Sequence, residues 1–184
     1  MTDDRIKLDP DRMAQRKMHQ DFFDRCLSAI ERGFYMEAIL MEYAALEARL
    51  EVILGMLGLP CNKFLPDKDR KDVFISHRIQ CLKKIRKNTS VFSGTKLPKN
   101  YFDKLEDWIA IRNGYIHGLY KSEIRYKNRM KETKQTADQG YKLCRLLYNE
   151  ASRIRRLYKK NAFTGAGIVC MTSNCKFNAD NKGE

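Results

Sequence analysis

A chain of 184 residues is long enough for one domain with a real core and too short for two of ordinary size. With 43% hydrophobic and 32% charged residues it reads as folded rather than disordered, and ten Gly with four Pro give too little punctuation for a turn-rich all-β fold. The net charge of +13 is segregated: residues 1–60 hold 8 Lys/Arg against 11 Asp/Glu, 61–120 hold 13 against 6, 121–160 hold 13 against 4, and the rest is neutral, so the second half is the one that faces polyanions.

The opening Met-Thr-Asp-Asp-Arg carries acids where a secretion leader carries basic residues before an apolar run, and no apolar segment approaches the ~20 residues that span a bilayer. The expectation is a cytoplasmic protein with no membrane partner. Cysteines at 26, 61, 81, 144, 170 and 175 are scattered, three of them inside apolar helical patterns, as reduced and buried cysteines are, so no disulfide framework is expected.

Asp9-Pro10 places an N-cap before a proline at the first helical position, and Ala14, Met18, Phe22, Cys26 and Ile30 then repeat every four residues up to Gly33. This predicts a first helix over about 10–32. In the second, Ile39, Tyr43, Leu46, Leu50, Ile53 and Leu57 alternate steps of four and three, a core stripe closed by Gly58 and Pro60. A polar connection with Pro66 leads to Asp69 and Asp72, which resemble a cap for a basic third helix over about 70–87 with Ile75, Ile79, Leu82 and Ile85 on its apolar side. After the loop 88–96 and Pro98, Asn100 and Asp103 signal a fourth helix that carries Phe102, Leu105, Ile109 and Ile116 and runs to about 121. From about Lys131 onward, Leu143, Leu147, Ala151, Ile154 and Tyr158 mark a fifth helix with Arg and Lys on its other faces. No period of about 20 to 50 residues repeats. The fold class is therefore all-α, an antiparallel bundle of about five helices in one domain over 1–160, with 161–184 a tail or short docking segment.

Elimination narrows the sites for chemistry. The chain has no phosphate loop, no nucleophile elbow and no His-Glu-x-x-His pair. Gly165-Ala-Gly167 follows a helix and lacks a third glycine, and Cys170-x4-Cys175 has no second pair, so neither a dinucleotide nor a zinc site is expected. Glu47 and Glu51 share a helix face without a Glu-x-x-His companion and read as solvated charges rather than a di-metal cluster. Of the three histidines, His19 and His77 read as partly exposed polar residues. His117 differs, because Arg112, Asn113 and His117 interrupt a helix that is otherwise apolar on one side.

At about 100° and about 1.5 Å per residue, Asn113 and His117 share a face, while Arg112 lies about 140° around and about 7.5 Å from His117. A second copy of the helix facing the first is the economical way to enclose a phosphate between Arg and His, which points to a two-fold dimer with a shared cleft. Gly114 and Gly118 cost helix stability, on the order of 1 kcal/mol each against Ala, and clear bulk beside the polar residues. Histidine can take a proton from a ribose 2′-hydroxyl or give one to a leaving 5′-oxygen near neutral pH, arginine can hold the phosphate, and Asn113 would orient the imidazole. No metal or cofactor is needed where the 2′-hydroxyl is the nucleophile. The competing reading of the trio is a buried polar contact between helices, with Arg112 paired to an acid such as Asp107 and His117 bonded to a backbone carbonyl.

Arg112-Asn113-x-x-x-His117 resembles the Arg-x4-to-6-His motif of HEPN domains (higher eukaryotes and prokaryotes nucleotide-binding), in the form with Asn directly after Arg. It lies late in a long helix, after Leu105, Trp108 and Ile109 and before Gly118, with an earlier amphipathic helix around Tyr43. The resemblance implies a four- or five-helix bundle, usually dimeric, whose two motifs meet in one RNA-cleaving site. It implies catalytic Arg112 and His117 with Asn113 in support, and roles such as those of toxins of toxin–antitoxin pairs, abortive-infection proteins acting against phage, or the nuclease halves of RNA-targeting CRISPR effectors. Toxins paired with nucleotidyltransferase antitoxins resemble Arg-x4-His-x-Tyr. Here Leu119 occupies that place and Tyr120 follows it, so tyrosine modification is not expected.

The expected function is a metal-independent endoribonuclease with RNA as partner, as a homodimer, with a cognate antitoxin protein as a further partner. Lys83, Lys84, Arg86, Lys87, Lys121, Arg153, Arg155 and Arg156 would guide the RNA backbone, and Tyr115 or Tyr120 would stack a base. The alternatives are a non-catalytic module binding RNA or a nucleotide on the same surface, and a protein-interaction partner.

Overall fold

A computed structural model describes residues 10–57, 74–88, 90–119 and 129–163, and their regular structure is helical: α1 (Pro10–Glu31), α2 (Tyr35–Met56), α3 (Ile75–Asn88), α4 (Tyr101–Leu119) and α5 (Met130–Phe163). Among the described residues there is no strand, and the chain forms the expected all-α bundle. The proposed caps at Asp9, Asp69 and Asp72 lie outside the described residues, as do Gly165, Gly167, Cys61, Cys170 and Cys175. α5 runs on to Phe163, past the boundary expected at 160. No helix among the described residues is long and apolar enough to cross a membrane.

α1 ends at Gly33, whose φ of +84° is a backbone conformation open to glycine. Gly33 N–H donates to Ile30 O at 3.1 Å and Phe34 N–H to Ala29 O at 2.8 Å, a Schellman cap that turns the chain straight back into α2. On α1, Phe23, Cys26 and Ile30 are buried, whereas Ala14 is exposed and Met18 is 61% exposed. The four-residue repeat read from the sequence fails at its start for a geometric reason. Each step of four gains about 40° on the helix, so a strict repeat walks off the core face within a few turns. His19, Phe23, Cys26 and Ile30, spaced four, three and four, hold that face instead.

The other stripes are core except at Tyr43, Ile116 and Tyr158, which are half-buried against it. Ile39, Leu46, Leu50, Ile53 and Leu57 of the α2 region, Ile75, Ile79, Leu82 and Ile85 of α3, Phe102, Leu105 and Ile109 of α4, and Leu143, Leu147, Ala151 and Ile154 of α5 are all buried. Helices adjacent in sequence across α1–α2, α3–α4 and α4–α5 run antiparallel. Lys83 of α3 binds Asp103 and Glu106 of α4 at 2.6 and 2.9 Å. Tyr101 Oη donates to Leu143 O at 2.9 Å, and Trp108 Nε1 donates to Thr136 O at 2.8 Å. These two bonds satisfy the polar atoms of two fully buried aromatics and fix α4 against α5. α5 lies parallel to α2, with Cys144 Sγ donating to Glu42 O at 3.3 Å and the Arg49 guanidinium 3.7 Å from the Tyr148 ring centre.

Glu42 lies inside this α2–α4–α5 junction with no exposed surface, and neither carboxyl oxygen has a hydrogen-bond partner among the described residues. Gly140 makes the space: a Cβ there would collide with Glu42 Oε2 and stand 2.6 Å from the Trp108 ring. Burial first, and then the Asp138 charge, push the Glu42 carboxyl up to about 9. Burial likewise raises the thiols of Cys26, to about 12, and of Cys144, with Glu42 adding to both. Cys26, Cys81 and Cys144 are free thiols.

Candidate active site

α4 sorts its side chains by azimuth. Tyr101, Phe102, Leu105, Trp108 and Ile109 face the core, while Asp107, Ala110, Ile111, Gly114 and His117 face outward, with Ile111 44% exposed. Arg112, Asn113, Tyr115 and Ile116 are half-buried between the two. A Cβ at Gly114 or Gly118 would meet nothing within 4 Å, so the outer face beside His117 is open.

Arg112 turns inward to α2. Its guanidinium lies 4.0 Å from the Tyr43 ring centre, and Nη1 donates to Asn113 Oδ1 at 2.9 Å. Among the described residues Nε is buried without a hydrogen-bond partner and no carboxylate pairs with this arginine, so the Asp107 pair of the competing reading does not form. The nearby Glu47 and Glu51 pair with Arg78, at 2.7 and 3.3 Å, and keep exposed surface, in line with charges at the solvent boundary. Burial and Glu47 raise the Tyr43 phenol, while Arg112 and Arg78 pull it down. Arg112 is thus a half-buried cation held by a ring face and a neutral amide, and it has no counter-charge among the described residues. That combination leaves it able to receive an anion.

His117 is exposed and makes no hydrogen bond among the described residues. No hydrogen bond joins Arg112 to His117 among the described residues, and the helix sets the two about 140° apart in azimuth. Asn113 braces Arg112 through Oδ1, and among the described residues it makes no hydrogen bond to His117. Tyr115 packs on the core with its hydroxyl 3.4 Å from Thr136 Oγ1, so it is held in the fold rather than standing clear to stack a base. Tyr120 and Lys121 lie outside the described residues.

Of the basic residues, Lys83 is held in an ion triad by Asp103 and Glu106, which raise its ammonium well above the usual range. It is therefore not free for RNA. Lys84, Arg86 and Lys87 line one groove with Lys99, a residue the sequence reading missed because it sits in a loop outside the helical charge pattern. Arg153 lies 3.6 Å from Glu150, and Arg155 and Arg156 are exposed. His19 also has a defined setting: its Nε2 is 3.0 Å from Arg49 Nη2, its ring meets Tyr148 edge-on, and burial with Arg49 lowers its pKa. His77 Nδ1 is buried without a hydrogen-bond partner among the described residues. No group of three or more His, Cys, Asp or Glu among the described residues is placed to hold a metal ion. Comparison with known proteins found no matching family model, curated protein or solved structure.

Proposed function

We propose that the chain is a metal-independent endoribonuclease of HEPN type, working as a two-fold dimer in which α4 of each copy supplies Arg112 and His117 to a shared cleft. The observation that supports it most is Arg112, a half-buried guanidinium with no carboxylate partner among the described residues, on the same helical stretch as an exposed histidine and two glycines that clear the surface. In the reaction the ribose 2′-oxygen bonds to phosphorus as its proton passes to one His117. The phosphorus–O5′ bond breaks, and the departing oxygen takes a proton from water, to which His117 then returns the proton it took. The products are a 2′,3′-cyclic phosphate and a 5′-hydroxyl. Arg112 neutralises charge gathering on the phosphoryl oxygens, and Asn113 holds the guanidinium in place. A growth-control or antiphage setting, and a cognate antitoxin, rest on the resemblance of Arg112-Asn113-x-x-x-His117 alone.

The test is cleavage of total RNA in EDTA, with cyclic-phosphate ends as readout. His117→Ala and Arg112→Ala are each expected to slow cleavage by on the order of 10² to 10⁴. Equal cleavage by wild type and His117→Ala would mean contamination and end the proposal. Retention of RNA with no cleavage by any form would favour the non-catalytic binding module, which the separation of Arg112 from His117 within one protomer supports.

A further inference from the structure

A groove of about 410 Å³ opens between the C-terminal half of α3 and the first turn of α4. Lys83, Lys84, Arg86, Lys87 and Lys99 line it, over Phe102. Asp103 also lines it and is already engaged, since it and Glu106 hold Lys83. Arg86 forms a fixed floor: Nη2 donates to Leu97 O at 2.9 Å, and the guanidinium lies 6.0 and 5.9 Å from the Phe92 and Phe102 rings. Its Nη1 is buried without a hydrogen-bond partner among the described residues. Burial weakens the hold of this guanidinium on its proton, the behaviour of a cation short of solvent, with Asp103 opposing. Lys87 and Lys99 stand exposed on the rim with no carboxylate partner among the described residues. The N-terminal end of α4 adds partial positive charge at the same place. Leu157 of α5 packs at Gly94 in the loop leading to this turn, which puts the exposed Arg155 and Arg156 at the same end of the bundle.

The lining reads phosphate and little else. Phe92 and Phe102 are 3% and 2% exposed, so no ring face is offered to a base. A repeating phosphodiester backbone suits such a cationic trough better than a nucleotide that needs its base held. From position 103 to position 117 is about 21 Å along α4 at about 1.5 Å per residue. That equals about six nucleotides at roughly 3.4 Å per stacked step.

We infer that the groove formed by Arg86, Lys87 and Lys99 anchors the backbone of an RNA strand about six nucleotides away from the linkage presented at His117. The distance to the cut rests on the nuclease reading; the strand binding does not. Binding is measured by anisotropy on the full chain carrying His117→Ala, which removes cleavage, with labelled single-stranded RNAs of roughly 4 and 14 nucleotides between about 50 and about 200 mM salt. Adding Lys87→Glu and Lys99→Glu, both at exposed positions, is expected to weaken the long RNA at least about tenfold. It should flatten its log–log salt slope by about 1.4 or more, with a smaller effect on the short RNA. Unchanged affinity and slope for the long RNA overturn the anchor. So does inorganic tripolyphosphate or polyglutamate binding as tightly as the long RNA and displacing it, which would make the groove a free-oligophosphate or acidic-peptide site. If wild type cleaves nothing while the charge reversals still abolish strand binding, the nuclease reading fails and the anchor stands.

Discussion

Glu42 carries its charge state into the stability of the whole chain. Its carboxyl is wholly buried beside Trp108 and Gly140, and burial raises it from 4.5 to about 9. The folded chain therefore holds a proton that the unfolded chain releases between about pH 4.5 and about 9, and stability falls as pH rises through that window. At about 1.36 kcal/mol per pH unit, the cost at pH 7 is on the order of 3 kcal/mol. Glu42→Met, which fills similar space and cannot ionise, is expected to be more stable than wild type in urea unfolding at pH 7 by on the order of 2 kcal/mol. The gain should shrink toward pH 4.5. A gain that does not vary with pH would show that ionisation is not what Glu42 costs the fold. None of this was visible in the sequence, where Glu42 is one charge in an amphipathic helix. His19 is a similar case, because its partners Arg49 and Tyr148 come from distant helices and only folding makes it a hydrogen-bonded, desolvated imidazole.

Packing of α2, α4 and α5 at Gly140 is where an element-scale rule is reversed. A helix-interior glycine normally gains on the order of 1 kcal/mol when changed to Ala. Here the added methyl would meet the Glu42 carboxyl and the Trp108 indole, and overpacking of that kind costs about 1–3 kcal/mol. Gly140→Ala is expected to destabilise. Combining it with Glu42→Ala, which vacates part of the space, should give a double-mutant coupling of at least about 0.5 kcal/mol in the favourable direction. Additive losses in urea titrations would mean that the two sites do not share this space. The helices themselves were legible because their signal is local: steps of three and four on α2 to α5 match the buried faces. On α1 the signal misled, since a strict four-residue repeat looks helical while drifting around the cylinder, and His19 and Phe23 take the inward places that Met18 and Phe22 were given.

At the scale of the molecule, the residues of the proposed site were legible and their assembly was not. An Arg and a His five positions apart are plain in the sequence. That Arg112 turns in to Tyr43 and Asn113 while His117 turns out follows from packing against α2. The outward face of α4 offers Ala110, Ile111 and Gly114 beside His117, an unobstructed strip against which a second α4 can lie closely. Across a two-fold axis the azimuth gap of about 140° between Arg112 and His117 no longer has to be bridged within one helix. A composite site makes a specific demand. Arg112→Ala and His117→Ala proteins are each expected to be slowed by on the order of 10² to 10⁴ alone, but subunits that exchange form about half heterodimers, each with one intact Arg112 and one intact His117. Mixing the two variants should restore cleavage well above either alone, and the recovery should rise with protein concentration as dimers form. Ile111→Glu, which puts a charge on both sides of the same contact, should abolish the recovery and shift sedimentation to the monomer. If mixing restores nothing while both variants remain dimeric and exchange subunits, the reaction needs two arginines or two histidines at once, as it would if one imidazole takes the proton and the other gives it. If wild type is active as a monomer, the shared cleft is wrong whatever the mixing shows.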